Sequence, residues 1–178
     1  MGKLTFNYGT MGAAKSAEAL MCKDRYERKG LKVLLFKTKK ASRDGDTTVS
    51  SRIGLSSEAL ILEDWFYQKS QNEIMIESAN TDCIIVDEIQ FARATYIDML
   101  ASLVDTVGVS VICFGLKTDY NKRLFEGSKR LIEVADSINE IQNVCKCGKK
   151  AIFNIKLEGD DINGKYIACC RRCANEYK

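Results

Sequence analysis

Gly9-Thr10-Met11-Gly12-Ala13-Ala14-Lys15-Ser16 stands between an apolar run, Leu4-Thr5-Phe6-Asn7-Tyr8, and a helix-forming run from Ala17 to Arg28. Strand, small-residue loop, Lys-Ser and helix in that order form a phosphate-binding arrangement. Backbone N–H groups curl around a polyphosphate at a helix N-terminus, the lysine neutralises charge, and the hydroxyl takes Mg²⁺. The usual pattern has glycine immediately before the lysine; here it is Ala14. The loop alone also fits an ordinary strand–turn–helix with a chance lysine.

A second segment tips the balance toward nucleotide binding. Cys83-Ile84-Ile85-Val86 is a continuous apolar run, as expected of a strand buried on both faces of a parallel sheet. It ends in Asp87-Glu88, two carboxylates just past the strand's C-terminal end, the edge where open α/β sheets bind ligands. An acidic residue there can hold the Mg²⁺ that bridges nucleotide phosphates. Without the loop, a solvated acidic turn would be the simpler account.

The 178 residues suit one main domain with a small appendage, and 46% apolar with 29% charged residues is an ordinary globular composition. A net charge of +3, with basic residues spread along the chain, does not suggest nucleic acid as a partner. No apolar run approaches a membrane span, and no signal-peptide core is visible near the N-terminus. Eight cysteines without such a signal point to a reducing compartment, the cytoplasm. The chain has no histidine, so a general base must be carboxylate, lysine, tyrosine or cysteine, and a zinc site must be mostly thiolate.

Strands are expected at Lys3–Tyr8, Lys32–Phe36, Glu58–Leu62, Cys83–Val86, Val109–Gly115 and Asp136–Ile141. Helices are expected at Ser16–Lys29, Trp65–Asn72, Ala92–Leu103 and, more briefly, Leu124–Leu131. The alternation predicts an α/β fold, a mostly parallel sheet flanked by helices. Thr38 to Gly54 is polar and reads as a mobile loop. The character changes near Val144, dividing the chain into 1–143, an α/β nucleotide-binding domain, and 144–178, a small β domain. There Cys145 and Cys147 precede a strand at Ile152–Leu157, a turn at Glu158–Gly164 and a strand at Tyr166–Ala168. Cys170 and Cys173 follow. Two cysteine pairs flanking a hairpin make a zinc ribbon, with four thiolates around a structural Zn²⁺. Cys169 competes with Cys170, but the C-x-x-C spacing favours Cys170. Cys22, Cys83 and Cys113 fit buried core positions.

Loop, acidic strand end and zinc ribbon in this order resemble the type II thymidine kinases, the cytosolic P-loop deoxynucleoside kinases. Asp87-Glu88-Ile89-Gln90-Phe91 matches the family's D-E-x-Q-F signature, and Phe114-Gly115-Leu116-Lys117-Thr118-Asp119-Tyr120 its [YF]-G-L-x-T-D-[FY] segment. Val49-Ser50-Ser51-Arg52-Ile53-Gly54 and Leu124-Phe125-Glu126-Gly127-Ser128 are similar to further family segments. The resemblance covers nearly the whole chain and implies a RecA-like P-loop fold. It implies that Glu88 is the catalytic base, taking the proton from the 5′-hydroxyl of thymidine, or of deoxyuridine, as it attacks the γ-phosphate of ATP.

Lys15 would hold the β/γ-phosphates, with Ser16 and Asp87 on Mg²⁺. Gly9, Thr10, Met11, Gly12, Ala13 and Ala14 complete the nucleotide loop. Gln90 joins the nucleotide set chiefly by ordering the strand end. Met11, Phe91, Leu116, Tyr120 and Phe125 match positions that wall the base or pack behind it; each fits a plain core position equally well. Tyr166 matches a tyrosine on the lasso that closes over the nucleoside. The resemblance further implies a homotetramer and feedback inhibition by thymidine triphosphate. The chain departs from the family in Ala14 and in a shorter lasso. It also carries Ala41-Ser42-Arg43 where the family has D-x-R, which leaves Arg43 as a phosphate contact and Asp44 as a substitute carboxylate. The competing readings are a P-loop ATPase or regulatory nucleotide-binding module, a zinc-ribbon module for nucleic acid or protein, and a kinase that binds nucleotide without turnover.

Overall fold

The computed structural model describes residues 2–42, 46–158 and 164–177. Arg43, Asp44 and most of the expected Glu158–Gly164 turn lie outside the described residues. The chain runs β1 (Leu4–Tyr8), α1 (Lys15–Glu27), β2 (Val33–Lys37), β3 (Thr48–Ser50), β4 (Ser56–Glu58), β5 (Leu60–Ile61), α2 (Leu62–Gln68) and α3 (Gln71–Ala79). It continues through β6 (Cys83–Asp87), α4 (Ala94–Val107), β7 (Ser110–Gly115), α5 (Glu126–Val134) and β8 (Ser137–Glu140). The C-terminal part holds β9 (Asn143–Val144), β10 (Lys150–Ala151), β11 (Phe153–Glu158), β12 (Lys165–Cys169) and α6 (Arg171–Ala174).

The main sheet has the order β5-β2-β6-β7-β1-β8, and every pairing in it is parallel. The chain crosses from β1 to β2 through α1 and leaves room between them, which β6 and β7 later fill. The expected α/β fold is thus present. Side chains alternate across the sheet as the pleat requires. Phe6, Phe36, Ile84, Val86 and Val111 join Trp65, Ile97, Leu100 and Leu131 in one core layer. Leu35, Cys83, Ile85 and Phe114 join Ala19, Leu20 and Cys22 of α1 on the other face. Cys83, Ile84, Ile85 and Val86 are all fully buried, which is why this segment reads as an unbroken apolar run.

Three expectations need correction. The Trp65–Asn72 helix is two helices: Lys69 is extended, and Ser70 caps α3 through a reciprocal box with Glu73. The Glu58–Leu62 strand is split, since β4 ends at Glu58, β5 holds only two residues, and Leu62 starts α2. The polar stretch Thr38–Gly54 carries ordered structure, because β3 pairs antiparallel with β4 and Val49 is buried beneath α1. A buried valine on one side of a hairpin suffices to anchor an otherwise polar segment.

The C-terminal part forms two small antiparallel pairs, β9 with β10 and β11 with β12. Its own apolar cluster contains Cys145, Ala151, Ile155, Cys169, Cys170, Cys173 and Ala174. Among the described residues, no helix is long and apolar enough to cross a membrane.

Candidate active site

The loop after β1 takes the shape its small residues permit. Gly12 has φ +78°, and Ala14 sits at φ 62°, ψ 25° as the residue preceding α1. This left-handed conformation is the reason the pattern favours glycine at Ala14; a β-carbon there costs about 1–2 kcal/mol. The strained residue ends the loop where α1 begins, and the first-turn N–H groups of α1 have no partners within the helix. Lys15 is buried and its Nζ donates to Thr10 O at 2.9 Å, across the mouth of the loop. Burial holds the Lys15 amine below its usual range, against the opposing pull of Glu88 and Asp87.

Ser16 Oγ donates to Asp87 Oδ2 at 2.7 Å, so the strand end and the loop meet as expected. Asp87 is 3% exposed, and burial, followed by the neighbouring Glu88 charge, pushes its carboxyl up to about 6. Its second oxygen, Oδ1, is buried without a hydrogen-bond partner among the described residues. A buried carboxylate oxygen without a donor is costly unless a cation takes it. Ser16 and Asp87 therefore fit Mg²⁺, a hard cation that favours oxygen ligands.

Glu88 follows at φ 55°, ψ 34°, a second strained residue, and its carbonyl accepts from Thr38 Oγ1 at 3.1 Å. Its side chain is half-buried, and its Oε2 accepts from Gln90 Nε2. Gln90, 1% exposed, uses its other end to accept from the Leu116 N–H at 3.0 Å. The Gln90 amide is thus engaged by the protein's own groups and fixes Glu88 relative to the end of β7. Gly115 makes this possible, since a β-carbon there would lie 2.6 Å from Gln90 Oε1.

Four of the six residues expected around a nucleoside fall into two aromatic pairs. Phe91 and Phe125 meet edge to face at 5.6 Å, and Tyr120 and Tyr166 meet at 6.2 Å. Ser128 Oγ donates to Leu116 O, which holds the segment leading from β7 to α5. The ribbon also reaches the nucleotide loop. Asn154 of β11, 5% exposed, accepts from the Met11 N–H at 2.8 Å and donates to Thr118 O at 3.4 Å. Asn143 Nδ2 donates to Met11 O at 2.9 Å and to Thr10 Oγ1 at 3.1 Å. Both backbone polar groups of Met11 are therefore held by asparagines from beyond the main sheet.

The Sγ atoms of Cys145, Cys147, Cys170 and Cys173 all lie within 4.8 Å of one another. Tetrahedral zinc with bonds of about 2.3 Å separates its sulfurs by about 3.8 Å, so the set fits. Backbone amides of Cys147 and Cys170 bring the Cys145 thiol down to about 6, which favours thiolate. Cys170 belongs to the cluster and Cys169 does not, as the C-x-x-C spacing implied.

A family model described as thymidine kinase matches residues 2–174. The chain is 38% identical to the thymidine kinase of Enterobacteria phage T4, over 99% of this chain and 97% of that one. It is 36% identical to the thymidine kinase of Agrobacterium fabrum, over 97% and 95%. The chain belongs to the thymidine kinase family.

Solved structures outside the family share the fold alone. AMPPCP-bound DnaA from Aquifex aeolicus superposes with a TM-score of 0.51 at 11% identity, covering 79% of the kinase and 40% of that chain. A DNA replication initiation factor superposes at 0.52 and 13% identity, with the same coverage. Several residues that shape the kinase's site carry no motif of their own. Asn143 and Asn154 become visible only as hydrogen-bond partners of Met11. The one sequence hint was an asparagine between Phe153 and Ile155 in an otherwise core-forming strand. Thr38, fully buried under Glu88, lay in a stretch read as mobile.

Proposed function

We propose that the protein transfers the γ-phosphoryl group of Mg-ATP to the 5′-hydroxyl of thymidine, and of deoxyuridine. The observation that carries this reading is Glu88, held by Gln90 immediately beside the buried Asp87–Ser16 pair. Family membership supports thymidine phosphorylation; the donor, the base and the second nucleoside are the reading of this site. Glu88 accepts the 5′-hydroxyl proton as that oxygen bonds to the γ-phosphorus. The bond from the γ-phosphorus to the β–γ bridging oxygen breaks, and ADP leaves with that electron pair. Lys15 and the α1 amides neutralise phosphate charge, and Ser16 and Asp87 hold the cation. Mg²⁺ bound there supplies charge neutralisation and orientation of the phosphates. Phe91, Phe125, Tyr120 and Tyr166 offer faces for a pyrimidine, with Met11 and Leu116 completing the wall.

The four-cysteine cluster holds zinc structurally, since four protein ligands leave no open position. The same reading extends to units spanning 1–143 and 144–178 and to a cytoplasmic homotetramer inhibited by thymidine triphosphate. The test is ADP release from ATP and Mg²⁺ with thymidine, deoxyuridine, deoxycytidine or deoxyguanosine. Thymidine and deoxyuridine should support turnover and the other two should not. Glu88→Gln should lower kcat by about 10²–10⁴-fold with nucleotide binding retained. ADP release that is indifferent to nucleoside would make the protein an ATPase instead.

A further inference from the structure

The β3–β4 hairpin has no part in the chemistry above, yet its tip stands over the nucleotide loop. The hairpin is anchored at both ends. At its base Val49 is 3% exposed, and the buried Lys37, at the C-terminal end of β2, donates from Nζ to Thr48 O at 3.0 Å. At its tip the Ser51 N–H donates to Leu55 O at 2.8 Å, and the Leu55 N–H donates back to Ser51 Oγ at 3.1 Å. Arg52 is carried on this closed turn and is exposed to solvent.

Its guanidinium overhangs the loop. A β-carbon added to Gly12 would stand 3.8 Å from Arg52 Nη1 and 3.7 Å from Asn143 Nδ2. The Lys15 amine, three residues on, senses the Arg52 charge as a repulsion. Among the described residues, no carboxylate lies within ion-pair distance of Arg52, although ten other cation–carboxylate pairs form. Lys15 also faces Glu88 and Asp87, but Arg52 brings a second cation to the same loop with no carboxylate of its own, an arrangement suited to a polyanion with more charge than Lys15 alone can balance.

We infer that Arg52 is a catalytic residue, brought by the β3–β4 hairpin over Gly12 to the transferring phosphoryl group. This rests on the reading of ATP as donor. Guanidinium stays protonated throughout, donates hydrogen bonds to the non-bridging γ-oxygens, and transfers no proton. Its contribution is to the charge spread over those oxygens as the γ-phosphorus passes from the bridging oxygen to the nucleoside oxygen.

The test compares Arg52→Gln and Arg52→Lys with the parent in steady-state kinetics and in binding of ADP and of a non-hydrolysable ATP analogue. Arg52→Gln should lower kcat by about 10²–10³-fold, leave the thymidine KM within about twofold, and weaken the triphosphate analogue more than ADP. Arg52→Lys should recover part of kcat, and melting temperatures should match the parent because the side chain is exposed. A kcat within threefold of the parent overturns the proposal. Equal weakening of ADP and analogue with kcat retained also overturns it, because Arg52 would then be only a ground-state anchor. So does a loss of activity that tracks a lost melting temperature in both variants. If the parent itself shows no thymidine-dependent turnover, the kinase reading fails first. The triphosphate-over-diphosphate preference, and its loss in Arg52→Gln, would still decide whether Arg52 meets the γ-phosphate.

Discussion

Ser16 Oγ and Asp87 Oδ2 stand 2.7 Å apart although 71 residues separate them in sequence. The bond closes the gap between the N-terminus of α1 and the end of β6, across the intervening β7. It also leaves Asp87 with one satisfied oxygen and one buried oxygen without a donor. The protein therefore holds an unfavourable carboxylate at the cation site proposed above, an exchange of stability for function under that reading.

That carboxylate sets a pH dependence in metal-free protein. Asp87 holds its proton up to about 6 when folded, against 3.8 as the ordinary value. Between those values the folded state binds more protons than the unfolded one, so this group's contribution to stability falls as pH rises. Melting temperature without Mg²⁺ should decline from pH 4 to pH 7 by a component that Asp87→Asn removes. The variant should also lose stabilisation by Mg-ATP. Thermal melts across pH, with and without Mg-ATP, check both outcomes.

Ala14 carries strain that glycine would relieve. Its left-handed backbone costs about 1–2 kcal/mol, partly offset in a glycine variant by greater unfolded-chain entropy. Ala14→Gly should raise unfolding free energy by about 0.5–1 kcal/mol and keep or improve turnover. Urea unfolding and steady-state kinetics measure the two effects separately.

Gln90 should control Glu88. Gln90→Ala removes the side-chain donor to Glu88 and the acceptor for Leu116, leaving a buried N–H unpaired at about 1–3 kcal/mol. Turnover should fall by roughly tenfold, with the thymidine KM less affected than kcat, because the base loses its orientation rather than the substrate its pocket. Gly115→Ala should reproduce the kinetic defect, since its β-carbon would displace Gln90 Oε1 from 2.6 Å away. An unchanged kcat in both variants would show that Glu88 needs no such support.

The asparagine ties couple the four-cysteine ribbon to the nucleotide loop. Asn154 and Asn143 hold the N–H and carbonyl of Met11 from the segment that also carries the cysteines. Removing zinc with a chelator should raise amide hydrogen exchange in residues 9–12 as well as in the ribbon. Asn154→Ala should raise exchange in the loop while sparing the cysteine cluster, and should weaken ATP binding. Exchange confined to the ribbon after chelation would show the two parts to be independent.

Much of the main sheet was legible because its signals are local. The run ending at Val86 shows its burial directly, since a strand covered on both faces needs apolar residues at every position, whereas the runs ending at Tyr8 and Gly115 show it through their apolar majority. The break between α2 and α3 was missed: the helical pattern running across it hid the extended Lys69, although the Ser70–Glu73 capping box was a local signal for it. The β3–β4 hairpin was not legible. Its strands are short and mostly polar, and it is held through Val49 and the Lys37–Thr48 bond, neither of which leaves a periodic trace.

By itself the sequence determined the alternation of strands and helices, the phosphate loop, the acidic end of β6 and the four-thiolate ribbon. Each is written in the chemistry of a few neighbouring residues: apolar runs, small residues before Lys-Ser, and cysteine spacing. Only the tertiary structure decided that β7 separates β1 from β6 and that Gln90 spans to Leu116. It alone decided that Asn154 grips Met11 from 143 residues away and that Arg52 overhangs Gly12. Strand order and packing set these distances. A hydrogen bond or a charge acts through space and leaves no fixed spacing along the chain by which it could be read beforehand.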